Sequence, residues 1–224
     1  MVGHSRVDAL RRELAAAGDP HQAIAMAKYM KDHFDFFGVP APQRRKHQRL
    51  AFASWKPTRD DIVDFVSAAW EQPEREFQYA ACDVLEKNDA LLGSASLEFL
   101  FGLVVTKSWW DSVDAIAPRV GSLIRRDPGL VEHLDVWVDH ENLWVRRVAL
   151  LHQLRYKVAT DGERLFSYCE RRSHETEFFI RKAIGWALRE YAKTDPEAVR
   201  GFVQSHRALL SPLSQREALK NIGV

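Results

Sequence analysis

Trp144-Val145-Arg146-Arg147-Val148-Ala149 is followed 35 residues later by Phe179-Ile180-Arg181-Lys182-Ala183-Ile184, and after a further 35 by Ser214-Gln215-Arg216-Glu217-Ala218-Leu219. Each block sets a basic residue at the same place in an apolar helical pattern. Going back along the chain, the register passes through Asp111, then Gln78 in Glu76-Phe77-Gln78-Tyr79-Ala80-Ala81, then Gln43. A period near 35 residues with two helices per unit is the pattern of an α-solenoid. A helix pair of this length cannot bury its apolar face alone and must stack on its neighbours. The expected fold is therefore all-α, a single repeat domain over residues 1–224 built from about six HEAT-like helical pairs. Such stacking gives a continuous core and a concave surface lined by one helix of each pair. The Trp-x2-Leu-Gly-x2-Tyr signature of tetratricopeptide repeats is absent.

Apolar residues recur at three- and four-residue spacing over Ala9–Ala17, Ile62–Trp70, Phe77–Leu85, Ser96–Val105, Trp144–Leu154 and Phe178–Tyr191, which predicts helices there. Breakers divide them at Gly38-Val39-Pro40-Ala41-Pro42, Lys56-Pro57, Gln72-Pro73, Asp127-Pro128-Gly129, Asp161-Gly162, Asp195-Pro196 and Ser211-Pro212. Several of these also read as helix starts, because Ser, Thr or Asp caps a helix and Pro suits its first turn. No stretch reads as a strand.

A chain with 46% hydrophobic and 28% charged residues has enough apolar surface to fold, which excludes a disordered polypeptide. Cys82 and Cys169 lie in apolar helical patterns without a CxxC pair, and the nine histidines form no HxH or HxxxH pair, so neither a disulfide framework nor a metal site is expected. No cofactor is implied. There is no apolar run near 18 residues, and the polar N-terminus reads as an amphipathic helix rather than a signal peptide. The cytoplasm is the expected compartment and a monomer the expected state.

The net charge of +1 suggests no particular partner, but its distribution does. Pro42 to Arg49 holds Arg44, Arg45, Lys46 and Arg49 without an acid, and Asn142 to Thr160 holds Arg146, Arg147, Arg155 and Lys157 without one. Arg44-Arg45-Lys46, Arg146-Arg147 and Arg181-Lys182 occupy equivalent repeat positions, which predicts one basic track suited to the phosphates of a nucleic acid duplex. Solvated helix starts, or a groove for an acidic peptide, fit the same pattern.

Aromatic residues stand out in two places. In Thr106-Lys107-Ser108-Trp109-Trp110-Asp111-Ser112-Val113-Asp114, regular helix would place Trp110 and Asp114 one above the other. Trp109, Val113, Ile116 and Val120 would then form a stripe that packs inward. An indole face beside a carboxylate suits a cationic or electron-poor partner, whereas the plainer reading is a core Trp pair with a solvated Asp. Further on, Lys182, Trp186, Arg189 and Lys193 share one helical face, so Trp186 sits in a basic stripe. A capped surface ring explains that stripe as well as a nucleic-acid contact does.

Met26-Ala27-Lys28-Tyr29-Met30, Pro73-Glu74-Arg75-Glu76-Phe77-Gln78, the Val105–Asp114 stretch and Lys182-Ala183-Ile184-Gly185-Trp186-Ala187-Leu188-Arg189-Glu190-Tyr191-Ala192-Lys193 resemble the AlkD-like DNA alkylation repair glycosylases. The resemblance runs from about Ala23 to Ile222 and is weak over the first twenty residues. It implies a HEAT-like protein that cleaves the N-glycosidic bond of N3- and N7-alkylated purines, such as 3-methyladenine and 7-methylguanine, in double-stranded DNA without flipping the base. On that resemblance Asp114 is the catalytic carboxylate. Trp110 and Trp186 face the backbone and sugar of the damaged nucleotide, and Arg147 holds the adjacent phosphate. Tyr29 is a further aromatic near the site. Arg44, Arg45, Lys46, Arg146, Arg181, Lys182 and Arg189 are the remaining expected DNA contacts. Relatives carry polar residues where this chain has Pro40 and Ala41, a departure that removes possible contacts from that turn.

The implied chemistry agrees with the residue types. An alkylated purine is cationic and leaves readily, so its departure builds positive charge on the deoxyribose, as in glycoside hydrolysis. A fixed carboxylate and indole faces both favour that charge. No motif places a lysine as a Schiff-base nucleophile, so a monofunctional enzyme is expected. The competing readings are a non-catalytic DNA-binding scaffold and a protein-interaction solenoid.

Overall fold

The computed structural model describes residues 2–222. Among them lie thirteen α-helices and no strand, with one isolated bridge between Asp35 and Glu74. The chain folds as two compact units, one up to Leu92 and the other from Gly93 onward. The first contains α1 (Val2–Ala17), α2 (Pro20–Tyr29), α3 (Ala41–Ala51), α4 (Arg59–Glu71) and α5 (Arg75–Lys87). The second contains α6 (Ser96–Val105), α7 (Trp110–Arg126), α8 (Val131–Trp137), α9 (Leu143–Leu151), α10 (Gly162–Arg171), α11 (Phe178–Tyr191), α12 (Pro196–Ser205) and α13 (Pro212–Leu219). No helix among the described residues is long and apolar enough to cross a membrane.

The breakers act as expected. Thr58 and Asp61 form a reciprocal capping box at α4, while the side chains of Asn142, Asp161, Asp195 and Ser211 cap α9, α10, α12 and α13. Pro196 and Pro212 occupy the first turns of their helices, where a missing N–H costs nothing. In the first unit, α1 packs on α3 and α4, and α5 on α3 and α4, around Leu10, Leu14, Ile62, Phe65, Phe77 and Leu85, all fully buried. The buried Glu76 carboxylate accepts the backbone N–H groups of Phe37, Gly38 and Val39 at 3.2, 3.0 and 3.1 Å, which fixes the turn leading into α3. Burial raises the Glu76 pKa, and the three N–H groups oppose that rise.

The second unit makes the repeat physical. Helices α7, α9, α11 and α13 begin 33, 35 and 34 residues apart, and each packs on the next. Val113, Ile116, Val120, Val145, Val148, Ile180 and Ile184 form the buried face between them. Close approach of α7 to the end of α9 depends on Gly121, where an added Cβ would lie 1.9 Å from the His152 carbonyl oxygen. The Tyr156 hydroxyl donates to the Gly121 carbonyl at 2.7 Å and closes the same contact.

Helix α9 stops at Leu151 rather than reaching Leu154 as its periodicity predicts. The Gln153 amide instead holds the backbone of Asp161, accepting from its N–H at 2.8 Å and donating to its carbonyl at 3.1 Å. A tertiary hydrogen-bond pair thus ends a helix whose apolar pattern continues.

His152, at that helix end, is buried, and loss of solvent lowers its pKa to about 4. The folded state therefore binds a proton less readily than the unfolded chain does. The contribution of His152 to stability is complete above the ordinary value of 6.5 and is lost as pH falls from 6.5 towards 4. The loss amounts to about 3 kcal/mol. Urea unfolding across this range should show a steeper decline for the wild type than for His152→Gln.

Candidate active site

The loop into α7 is shaped by side chains that take over the carbonyls at the end of α6. The Thr106 hydroxyl donates to the Gly102 carbonyl at 2.7 Å, and that of Ser108 to the Val104 carbonyl at 2.6 Å. Lys107 turns the chain with φ 47°, and Trp109 follows in extended conformation, so α7 starts at Trp110. Trp109 consequently lies before the helix and not on the Val113–Ile116–Val120 stripe. Its ring still packs inward, against Trp144 at 5.6 Å and Phe179 at 5.2 Å, while Trp144 and Phe179 meet at 4.9 Å. This aromatic cluster joins the starts of α7, α9 and α11.

Trp110 is half-buried at the first position of α7, one turn before Asp114. Pro118 lies one turn after Asp114 and has no N–H to offer the Asp114 carbonyl, which loosens the helix at the turn carrying the carboxylate. The Asp114 side chain itself is held firmly. Arg147 of α9 donates Nε–H to Oδ1 at 2.7 Å and Nη2–H to Oδ2 at 2.8 Å, a bidentate fork, and its Nη1 donates to the Phe179 carbonyl. One guanidinium therefore ties α7, α9 and α11 together. The Arg147 side chain is only 4% exposed and that of Asp114 16%. Burial raises the Asp114 pKa, and Arg147 pulls it back down. Because both carboxylate oxygens accept from the fork, the group is placed as an anion. A carboxylate offers about four acceptor positions, so the fork leaves roughly two for water or substrate.

Trp186 lies seven residues after Phe179 on α11, about 20° round the helix, so it shares the face that Phe179 turns towards Trp109 and Trp144. Its half-buried indole has neither hydrogen bond nor ring contact among the described residues. Lys182 and Arg189 flank it, and both bind Glu217 of α13: Lys182 Nζ to Oε1 at 2.7 Å, and Arg189 Nη1 to Oε2. The Gly185 of Ile-Gly-Trp makes this possible. A Cβ there would come 2.5 Å from the Glu217 Cβ and 2.9 Å from the Ser214 carbonyl oxygen. Gly185→Ala should therefore push α13 away and destabilise the fold by about 1–3 kcal/mol, measured as a lower denaturant midpoint.

The cations of the expected basic track are compensated only in part. Arg146 pairs with Glu175 at 2.7 Å and donates to the carbonyls of His140 and Glu141, and Arg181 donates to the Glu175 carbonyl. Arg44 is 3% exposed, bonded to Asp83 at 2.8 Å and to Gln48, so its guanidinium is committed inside the first unit rather than offered to a phosphate. Arg147 is likewise turned inward to Asp114. Arg45 shares Asp83 but remains 57% exposed, and Lys46 is exposed. Tyr29, the last residue of α2, is 70% exposed. Three participants had no sequence signal: Glu175, Glu217 and the Phe179 carbonyl. Among the described residues no group of three His, Cys, Asp or Glu side chains is placed to hold a metal ion, and Cys82 and Cys169 are buried free thiols.

Comparison with known proteins gives this arrangement its context. No curated protein matches the chain. A solved structure described as a predicted DNA alkylation repair enzyme from Enterococcus faecalis is similar, with 35% identity and a TM-score of 0.80 over 92% of this chain and 96% of that one. The family described as DNA alkylation repair enzyme matches residues 10–222. With the family pattern spanning nearly the whole chain and the fold shared at this level of identity, the chain belongs to the DNA alkylation repair enzyme family.

Proposed function

We propose that this member of the family is a monofunctional DNA glycosylase that excises cationic N3- and N7-alkylated purines, 3-methyladenine and 7-methylguanine among them, from duplex DNA. The observation that carries this reading is the Asp114 carboxylate, largely but not fully buried and held by the Arg147 fork one helical turn from an indole. In the reaction the C1′–N9 bond breaks and its electron pair leaves with the purine, cancelling the positive charge that alkylation placed on the base. The sugar becomes oxocarbenium-like. Asp114 stabilises that charge, and water adds to C1′ and loses a proton to the carboxylate or to solvent. Indole faces at Trp110 and Trp186 add about 0.5–2 kcal/mol each by attracting the same developing cation. No base flipping is needed on this reading, since the groups act on the sugar rather than enclose the base.

Arg147 serves this chemistry by fixing Asp114. Phosphates are left to exposed or half-exposed cations: Arg45, Lys46, Lys182 and Arg189. The enzyme is proposed to act as a monomer on chromosomal DNA in the cytoplasm. A duplex with one 7-methylguanine, incubated with the protein and then treated with alkali, tests the proposal. Strand scission at the lesion supports a glycosylase, whereas an alkali-stable strand despite salt-sensitive binding means a non-catalytic scaffold.

A further inference from the structure

Among the described residues, Glu217 is the carboxylate that meets both cations flanking Trp186. Its two oxygens are divided between Lys182, four residues before the indole, and Arg189, three residues after it. The side chain is 11% exposed, and Gly185 lets its Cβ sit against the backbone of α11 directly beside Trp186. Attraction to the two cations lowers the Glu217 pKa, with Lys182 contributing most and Lys220 adding a further positive charge nearby, so the group is an anion at neutral pH.

The cations are occupied but not used up. An ammonium has three donors and a guanidinium five, and each gives one to Glu217. The Lys182 side chain remains 37% exposed and that of Arg189 22%. Their remaining N–H groups are thereby set at fixed positions on either side of the indole, while the cluster of two cations and one carboxylate carries a net charge of +1 rather than +2.

We infer that Glu217 is a positioning residue, which holds Lys182 and Arg189 as a preset pair of phosphate donors astride Trp186 and limits their attraction for undamaged DNA. This inference rests on the glycosylase reading above. Without Glu217 the two long side chains would gain a full extra charge and lose their fixed geometry. Binding to any duplex would strengthen, and alignment of the sugar against Trp186 would weaken.

The test is Glu217→Gln, close in size to the native residue, with Glu217→Asp as the charge-retaining control. Binding to an undamaged duplex is titrated against salt, and single-turnover excision is measured at saturating enzyme on a duplex holding one 7-methylguanine. For Glu217→Gln the plot of log affinity against log salt should steepen by about 0.9, the value of one additional phosphate contact. Low-salt affinity should rise several-fold while excision slows about tenfold, and Glu217→Asp should keep the wild-type salt slope. A merely structural role would lower thermal stability and weaken binding and excision together without changing the slope, which would overturn the inference, as would wild-type values for both. If the wild type itself releases no base, the glycosylase reading fails, and the salt slope on undamaged DNA still reports separately whether Glu217 offsets the two cations.

Discussion

Asp114→Asn is expected to slow single-turnover release of 7-methylguanine by roughly 100- to 1000-fold, the scale of removing one preorganised electrostatic group from an active site. Asparagine keeps the size of the side chain but not the charge that faces the sugar cation. It also presents an NH2 group to a fork built to donate, so at least one bond to Arg147 is lost and a buried guanidinium is left without its counter-ion. The protein should therefore be less stable by about 3–5 kcal/mol. Circular dichroism at the assay temperature establishes that folded enzyme is being measured. Folded protein that excises at the wild-type rate would remove Asp114 from the chemistry.

Arg147→Met should have the second largest effect, and by a different route. It leaves the Asp114 carboxylate buried without its partner and frees the Phe179 carbonyl, so it too should lower stability by about 3–5 kcal/mol. Burial already raises the Asp114 pKa, and Arg147 is the influence that opposes it. Removing the guanidinium should raise that pKa further. Because the proposed reaction needs the ionised carboxylate, the acidic limb of the pH–rate profile should move to higher pH, and neutral-pH excision should fall about 100-fold. Arg147→Lys should bring the limb partly back, because the charge returns, but not the rate, because an ammonium cannot form the fork. An unshifted limb in Arg147→Met would mean that the limb reports some other group. Binding of undamaged DNA should keep its salt slope in both variants, since the buried guanidinium is not counted among the phosphate contacts.

The fold was legible in the sequence because it is set by periodic burial. The 35-residue recurrence through Asp111, Arg146, Arg181 and Arg216 foretells the successive starts of α7, α9, α11 and α13, and the Asp and Ser breakers foretell the caps of α10, α12 and α13. Errors arose where a side chain acts outside the period. Gln153 ends α9 early by bonding Asp161, and the positive φ of Lys107 places Trp109 before α7.

Half of the candidate site could be read in the same way. The four-residue spacing of Trp110 and Asp114 puts them on one face, and the resemblance suggested what that face does. Their ionic partners could not be read, because runs of charge describe neighbours along the chain, whereas these ion pairs join successive repeats. Arg44 lies in an acid-free run yet is buried against Asp83, and Lys182 meets Glu217 a full repeat later. Repeat phase shows which positions are equivalent, but not which acid faces which base once the helices stack. Part of the basic pattern is therefore engaged in ion pairs within the protein, and Arg147, expected at a phosphate, bonds the Asp114 carboxylate.

The central claim is that this chain cleaves the bond between an alkylated purine and its sugar. It is tested most directly by following the label when the protein acts on duplex DNA carrying isotopically labelled methyl groups. The account predicts that free 7-methylguanine and 3-methyladenine, each with its methyl group intact, appear in solution together with an equal number of abasic sites. Label that stays in the DNA, passes to the protein or leaves without its purine would contradict it.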